Sequence, residues 1–326
     1  MHRRRFMSAG IGALALASGA VPARAFERTQ SLRGGQALYR GGDLAFGTTV
    51  TIQVLHDSEH DARLAMREAF EQARRIDRLM SIYREGSQVH TLNRTGRIAN
   101  PDPHLLAVVR EALRLSAATD GAFDITVQPL WIATSAGRDT SAVRGRVGWR
   151  GLHVDNGELR FLRPDMEITL NGIAQGYATD LALDALRARG IRNALVDIGE
   201  LGATGRGPGS ASWQAGIANP RDTNRALHVA PLDGRCLACS GDYASAFSAD
   251  YSRHHIFDPA TGGSPVELSA VAVAAPSAML ADGLSTALMV MGQVKGMQFV
   301  RRLRGVDALF IDKAGRSTWT AGFPLT

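Results

Sequence analysis

The chain has 326 residues, 45% hydrophobic and 21% charged, which suits a soluble globular protein of one large domain or two ordinary ones. Its formal charge of +6 falls to +2 once the four arginines of the first 25 residues, Arg3, Arg4, Arg5 and Arg24, are set aside. No stripe of Lys/Arg interleaved with aromatics runs along the sequence, so the basic balance makes no case for nucleic acid.

Residues 1–25 read as a twin-arginine export signal rather than as fold. Arg3-Arg4-Arg5-Phe6-Met7 supplies the arginines, Ser8 to Val21 a weakly apolar run, and Ala23-Arg24-Ala25 a small-x-small cleavage site. The run is too short and too rich in small residues to span a membrane. The expected location is periplasmic. Residues 26–43, with Gly34, Gly35, Gly41 and Gly42, read as a linker to a domain over 44–326.

That domain opens with a strand-like run, Phe46 to Val54, followed by a helix from about Asp61 to Met80 with apolar residues at three-and-four spacing. Tyr83, just past its end, is either a core aromatic or a stacking surface for a planar ligand. Asp102-Pro103 caps and opens another helix that stops near Thr119-Asp120-Gly121. The turn Gly121-Ala122-Phe123-Asp124, running on to Trp131, makes a ligand wall or a packed corner. Ile168 to Asp180 brings Gly172, Gly176 and the Gln175 amide to the start of a third helix, Ile173 to Arg189, where free N–H groups favour an anion.

A strand, Asn193 to Ile198, leads into the glycine-rich stretch Gly199 to Gly209. Neither G-x-G-x-x-G nor a G-K-[ST] ending is present, and Ser212 to Ala218 reads as a strand, so a hairpin is expected rather than a phosphate loop. Cys236 and Cys239 lie on one strand at a spacing that points them to opposite faces, which favours ordinary thiols over a redox pair. Two adjacent histidines, His254 and His255, precede a turn, and only one of them can face a given site.

The segment Ser277 to Ala287 places Asp282, Ser285 and Thr286 on adjoining turns of a helix, among apolar residues that bury it. One reading is a hard-cation site of oxygen ligands, such as Mg²⁺ completed by substrate phosphates. The other has the hydroxyls bonded back to carbonyls one turn earlier and Asp282 paired with a basic residue. That helix is expected to close at Gly292, a second to reach Arg304, and Val306–Ile311 with Ser317–Ala321 to form a closing hairpin. Long helices mixed with hairpins, without regular β-α alternation, give an α+β fold.

Taken in order, these segments resemble the ApbE-type FAD:protein FMN transferases from about residue 44 to 311. The resemblance is carried by Phe46-Gly47-Thr48 (where that family usually has Met-Gly-Thr), Ser81-Ile82-Tyr83 with Ser87 and Asn93, and Gly121-Ala122-Phe123-Asp124. It continues through Asn171 to Ala178, Ser240-Gly241-Asp242-Tyr243, His255-Ile256-Phe257-Asp258-Pro259 with Thr261-Gly262, and Ala278 to Ala287. It implies antiparallel sheets and long helices around a central cleft for FAD and Mg²⁺. By the same resemblance Tyr83, Ala122, Phe123 and Asp124 would hold the flavin nucleotide, with Phe46 and Ile256 adding backbone or apolar contact. Asp282, Ser285, Thr286 and a carbonyl near Gly172 would hold Mg²⁺, and His255 would be the reactive imidazole.

Thr169 and Gln175 stand at cofactor-binding positions where the family often has Asp and Lys, so one negative and one positive group are lost together. The Thr-Leu-Asn-Gly-Ile-Ala-Gln-Gly form is similar to the branch associated with nitrous oxide respiration, often called NosX. The implied reaction is attack by a protein Ser/Thr hydroxyl on the FMN-side phosphorus of FAD, with AMP leaving. The implied acceptor is a membrane electron-transfer subunit with a periplasmic flavin domain. Two other activities would use the same cleft: a non-catalytic exported FAD carrier, and a Mg²⁺-dependent FAD pyrophosphatase with water as nucleophile.

Overall fold

Strands whose neighbouring residues are both apolar must bury both faces, and the largest sheet of this protein does so. The computed structural model describes residues 13–15, 25–32, 35–155 and 157–326. In chain order the elements are β1 (Ala13–Ala15), β2 (Phe26–Ser31), β3 (Ala37–Ala45), β4 (Thr48–His56), α1 (Glu59–Met80), α2 (Gln88–Thr95), β5 (Arg97–Ala99) and α3 (Pro103–Ala118). There follow α4 (Gln128–Ser135), β6 (Leu152–Val154), β7 (Glu158–Phe161), α5 (Ala174–Ala188), β8 (Asn193–Asp197) and β9 (Leu201–Thr204). The chain closes with β10 (Trp213–Asn219), β11 (Asp222–Leu232), β12 (Cys236–Gly241), β13 (Leu268–Ala275), α6 (Ala278–Val300), β14 (Asp307–Asp312) and β15 (Ser317–Trp319).

The strands form a nine-stranded sheet of order β15-β14-β13-β12-β9-β8-β4-β3-β2 and two three-stranded sheets, β1-β10-β11 and β5-β7-β6. Every ladder among the described residues is antiparallel. The expected α+β fold with antiparallel sheets and long helices is what the chain adopts. Of the expected export signal only a fragment is described, as β1; the arginine motif lies outside the described residues.

Alternation along the central strands splits the core in two. Ala308 and Phe310 join Ile52, Val54 and Val196 in a core under α1, α3, α5 and α6. Leu309 and Ile311 join Leu237, Leu195 and Trp213 in a second core on the other face, under the β10–β11 hairpin. Cys236 belongs to the first core and Cys239 packs on the second, so the two free thiols point to opposite faces as their spacing requires.

Residues 37–43 are not a linker. They form most of β3, which pairs residue for residue with β4, and Ala37, Leu38 and Tyr39 are buried. Gly41 is part of the strand because α1 crosses it: a Cβ there would come to 3.0 Å from the Phe70 ring. Its glycine answers a packing need rather than a need for flexibility.

Helix ends follow local chemistry. Ser58 caps α1 by accepting the Asp61 N–H at 3.2 Å, so the helix begins at Glu59, slightly ahead of the apolar pattern. Asp102 caps α3 through the His104 N–H, with Pro103 at its first turn. Ser277 caps α6, and Gly292 (φ 75°) interrupts it where expected, with the helix resuming to Val300.

Candidate active site

A cleft of about 1110 Å³, open solvent at its mouth included, lies between the end of α1, the 121–131 corner, the start of α5, the end of β12 and α6. One wall is aromatic and apolar: Ile82, Tyr83, Ala122, Phe123, Trp131 and Ile256 all border it. Tyr83 is 49% exposed, which leaves its ring available to a planar ligand. Phe123 is 3% exposed and serves both core and wall, while Trp131 meets Phe247 edge-on with ring centroids 6.5 Å apart.

Asp124 borders the cleft, but its oxygens are committed to the corner. Oδ1 accepts from the Thr126 N–H and hydroxyl at 2.8 and 2.6 Å, and Oδ2 accepts the Trp149 N–H at 2.8 Å. Burial still pushes its proton affinity above the ordinary carboxylate value, against those donors. The segment before Thr169 is held by Asn93, whose amide exchanges two 2.8 Å hydrogen bonds with the backbone of Ile168. Thr169, Asn171 and Gly172 follow along the cleft edge.

The floor is made where α5 and α6 meet. A Cβ at Gly176 would lie 2.3 Å from the Ala278 carbonyl oxygen and 2.8 Å from the Asp282 Cβ, so only glycine permits the approach. The Gly176 N–H, one of the unpaired donors of the first helical turn, then donates to Asp282 Oδ2 at 3.0 Å. From the next turn of α5, Asp180 accepts the Ala278 and Met279 N–H groups at 2.7 and 2.9 Å and so anchors the start of α6.

Asp282 is 4% exposed, and burial raises its pKa well above the ordinary carboxylate range. Glu200, also 4% exposed, borders the same floor; burial and the neighbouring charges of Asp282 and Asp197 push its pKa up further. Neither carboxyl has a basic partner among the described residues, so the basic neighbour that one of the two readings gave Asp282 is not there. Glu200 Oε2 is buried with no hydrogen-bond partner at all. Two buried carboxyls without a cation are expensive, and a hard divalent ion bound through oxygen would relieve both.

The two hydroxyls part company. Ser285 Oγ donates back to the Asp282 carbonyl at 2.9 Å and lies 2.8 Å from Ser240 Oγ, and it does not border the cleft. Thr286 faces the cleft with its Oγ1 3.2 Å from Ser240 Oγ, and a Cβ at Gly172 would come to 3.0 Å from it. Among the described residues no three of His, Cys, Asp and Glu gather as ligands. Asp282 and Thr286 are thus the side-chain oxygens of this helix that border the cleft, with Gly172 beside Thr286, and Ser285 lies behind them.

His255 borders the cleft, and its Nδ1 is shielded from solvent and has no partner. Burial, reinforced by the adjacent His254, draws its pKa down to about 4, so the imidazole is neutral near pH 7. His254 points the other way, fully buried, with Nε2 2.9 Å from the Pro265 carbonyl oxygen. The alternation expected of adjacent histidines holds.

Two further expected contacts are absent from the cleft. Phe46 takes a left-handed conformation (φ 52°) in the β3–β4 turn and packs against the core, while its N–H serves Asp77. Gln175 turns away from the cleft, and its Nε2 donates to the Ile198 carbonyl at 3.0 Å. Glu200 was overlooked because it lies in a glycine-rich stretch read as a hairpin. The available signal was an acid between Gly199 and Leu201, directly after a buried strand.

The sequence pattern of the ApbE family matches residues 46–310. The FAD:protein FMN transferase of Salmonella typhimurium is 34% identical over 269 residues, which cover 74% of this chain and 76% of the relative. The ApbE protein of Thermotoga maritima superposes with a TM-score of 0.79 at 27% identity, over 87% of this chain and 97% of that one. The flavinyl transferase ApbE of Pseudomonas stutzeri does so with a TM-score of 0.76 at 33% identity, over 88% and 95%. With the cleft built from the same segments that carry the family pattern, the chain belongs to the ApbE family.

Proposed function

We propose that this enzyme transfers the FMN half of FAD to a Ser or Thr hydroxyl of an acceptor protein and releases AMP. The observation that carries the reading is the pairing, in one cleft, of an aromatic wall with a floor of buried carboxyls that have no basic partner among the described residues. Tyr83, with Phe123 and Ile256 beside it, would cover the flavin, and Thr169 would bond the nucleotide at the cleft edge. Mg²⁺ held by Asp282, Thr286 and the Gly172 carbonyl would neutralise charge on the pyrophosphate oxygens.

In the transfer step the acceptor oxygen bonds to the FMN-side phosphorus. The bond from that phosphorus to the bridging oxygen breaks, and AMP leaves with that oxygen. His255 is neutral near pH 7 with an unpartnered Nδ1, so it can take the hydroxyl proton. The apparent export signal supports a periplasmic site of action, and a flavin-bearing domain of a membrane electron-transfer subunit is the acceptor we infer. Asp282→Ala is expected to abolish covalent flavin labelling of an acceptor domain supplied with FAD and Mg²⁺. Labelling that persists unchanged at low Mg²⁺ would overturn the reading. Free FMN and AMP formed without acceptor would instead make water the nucleophile.

A further inference from the structure

We infer that Glu200 supplies a second carboxylate to the divalent-cation site, so that the cation binds before FAD does. The inference rests on the proposed Mg²⁺-dependent function and extends it to a residue outside the set Asp282, Thr286 and Gly172. Glu200 is 4% exposed, borders the cleft floor with Asp282, and carries an Oε2 with no partner. A buried acid of this kind is normally paired or bonded.

The turn that presents Glu200 is clamped from the same helix that holds Asp282. Gln175 Nε2 donates to the Ile198 carbonyl at 3.0 Å, and Thr179 Oγ1 donates to the Glu200 carbonyl at 3.1 Å. Gly199 (φ 97°) makes the turn, and a Cβ there would lie 2.2 Å from Gln175 Nε2. Between these two residues of α5, Gly176 holds Asp282 at 3.0 Å. One helical turn therefore sets the spacing of both carboxyls, and Gln175 is a positioning residue for Glu200.

One or two carboxylates completed by substrate phosphates is the usual set for Mg²⁺. With two of them the protein's own charge balances the ion, and nucleotide is not needed to retain it.

The test is Mn²⁺ binding, followed by titration calorimetry and by the paramagnetic signal of free Mn²⁺, with and without FAD. The wild-type protein is expected to bind one Mn²⁺ without FAD, and Glu200→Gln to weaken binding at least tenfold. The metal-free melting temperature of Glu200→Gln should be no lower than wild type, because the amide keeps an oxygen to accept the Cys239 N–H and removes the charge of a carboxyl whose Oε2 has no partner. Binding by Glu200→Gln within twofold of wild type in both conditions would overturn the role of Glu200 and leave the proposed function standing. A fall in the metal-free stability of Glu200→Gln would also overturn it, by making Glu200 a structural residue. If the wild-type protein bound no Mn²⁺ under either condition, the cation site and the proposed function would fail together.

Discussion

At His255 a single side chain ties the chemistry to stability. Burial costs the imidazolium more than the neutral ring, so the folded-state pKa of about 4 lies below an unfolded value of ~6.5. As pH falls from 6.5 to 4 the unfolded chain takes up the proton first, and this residue's contribution to stability declines, to level off below 4. The buried carboxyls act with the opposite sign, so the effect must be isolated by difference. The stability of wild type minus that of His255→Gln, from urea denaturation, is expected to drop by about 2 kcal/mol between pH 7 and 4.5, after discounting for the part of the ring that meets water. A pH-independent difference would mean that the ring is solvated, and would remove the basis for a neutral proton acceptor at neutral pH.

The crossing of α5 and α6 is the element on which the floor depends. Gly176→Ala would drive a methyl into the Ala278 carbonyl and the Asp282 Cβ, which no side-chain rotation can relieve. We expect a loss of about 3 kcal/mol, at the upper end of overpacking costs, together with loss of Mn²⁺ binding as Asp282 shifts. Calorimetric melting and Mn²⁺ titration would check both; an unaltered melting temperature would show that the helices part easily. The glycine itself was legible in the sequence as a place of close approach, but its partner was not, since Ala278 lies a hundred residues further on. Helix and strand periods, the cap at Asp102, and the clustering of Asp282 with Thr286 could all be read because each is local. Gly41 and Gln175 misled for the reverse reason: their roles are set by Phe70 and Ile198, which arrive from distant elements.

Across the whole molecule, Asp242 joins three hairpins behind the cleft. It is fully buried, and Arg221, from the turn between β10 and β11, meets it through two nitrogens at 2.7 and 2.9 Å. Lys313, from the turn between β14 and β15, meets it at 2.6 Å and also donates to the Tyr251 carbonyl at 3.0 Å. Arg221 stacks over the Tyr251 ring at 4.1 Å, so the loop that carries His255 is tied at Tyr251 to the β10–β11 and β14–β15 turns. Ser240, Gly241, Tyr243, Ala244 and Ser245, on either side of Asp242, border the cleft. Asp242→Asn keeps the shape but leaves two cations without a countercharge. Because Arg221 and Lys313 side chains are 36% and 28% exposed, water can take over part of the load. The cost should therefore be about 2 kcal/mol, below the 3–5 typical when a fully buried pair is broken. The Michaelis constant for FAD should rise several-fold as the loop loosens, with Mn²⁺ binding at Asp282 little changed. Thermal melting with steady-state FMN transfer separates the outcomes: lower stability at an unchanged Michaelis constant would confine Asp242 to joining the hairpins, whereas both effects together would make the ion cluster part of how the cleft keeps its shape.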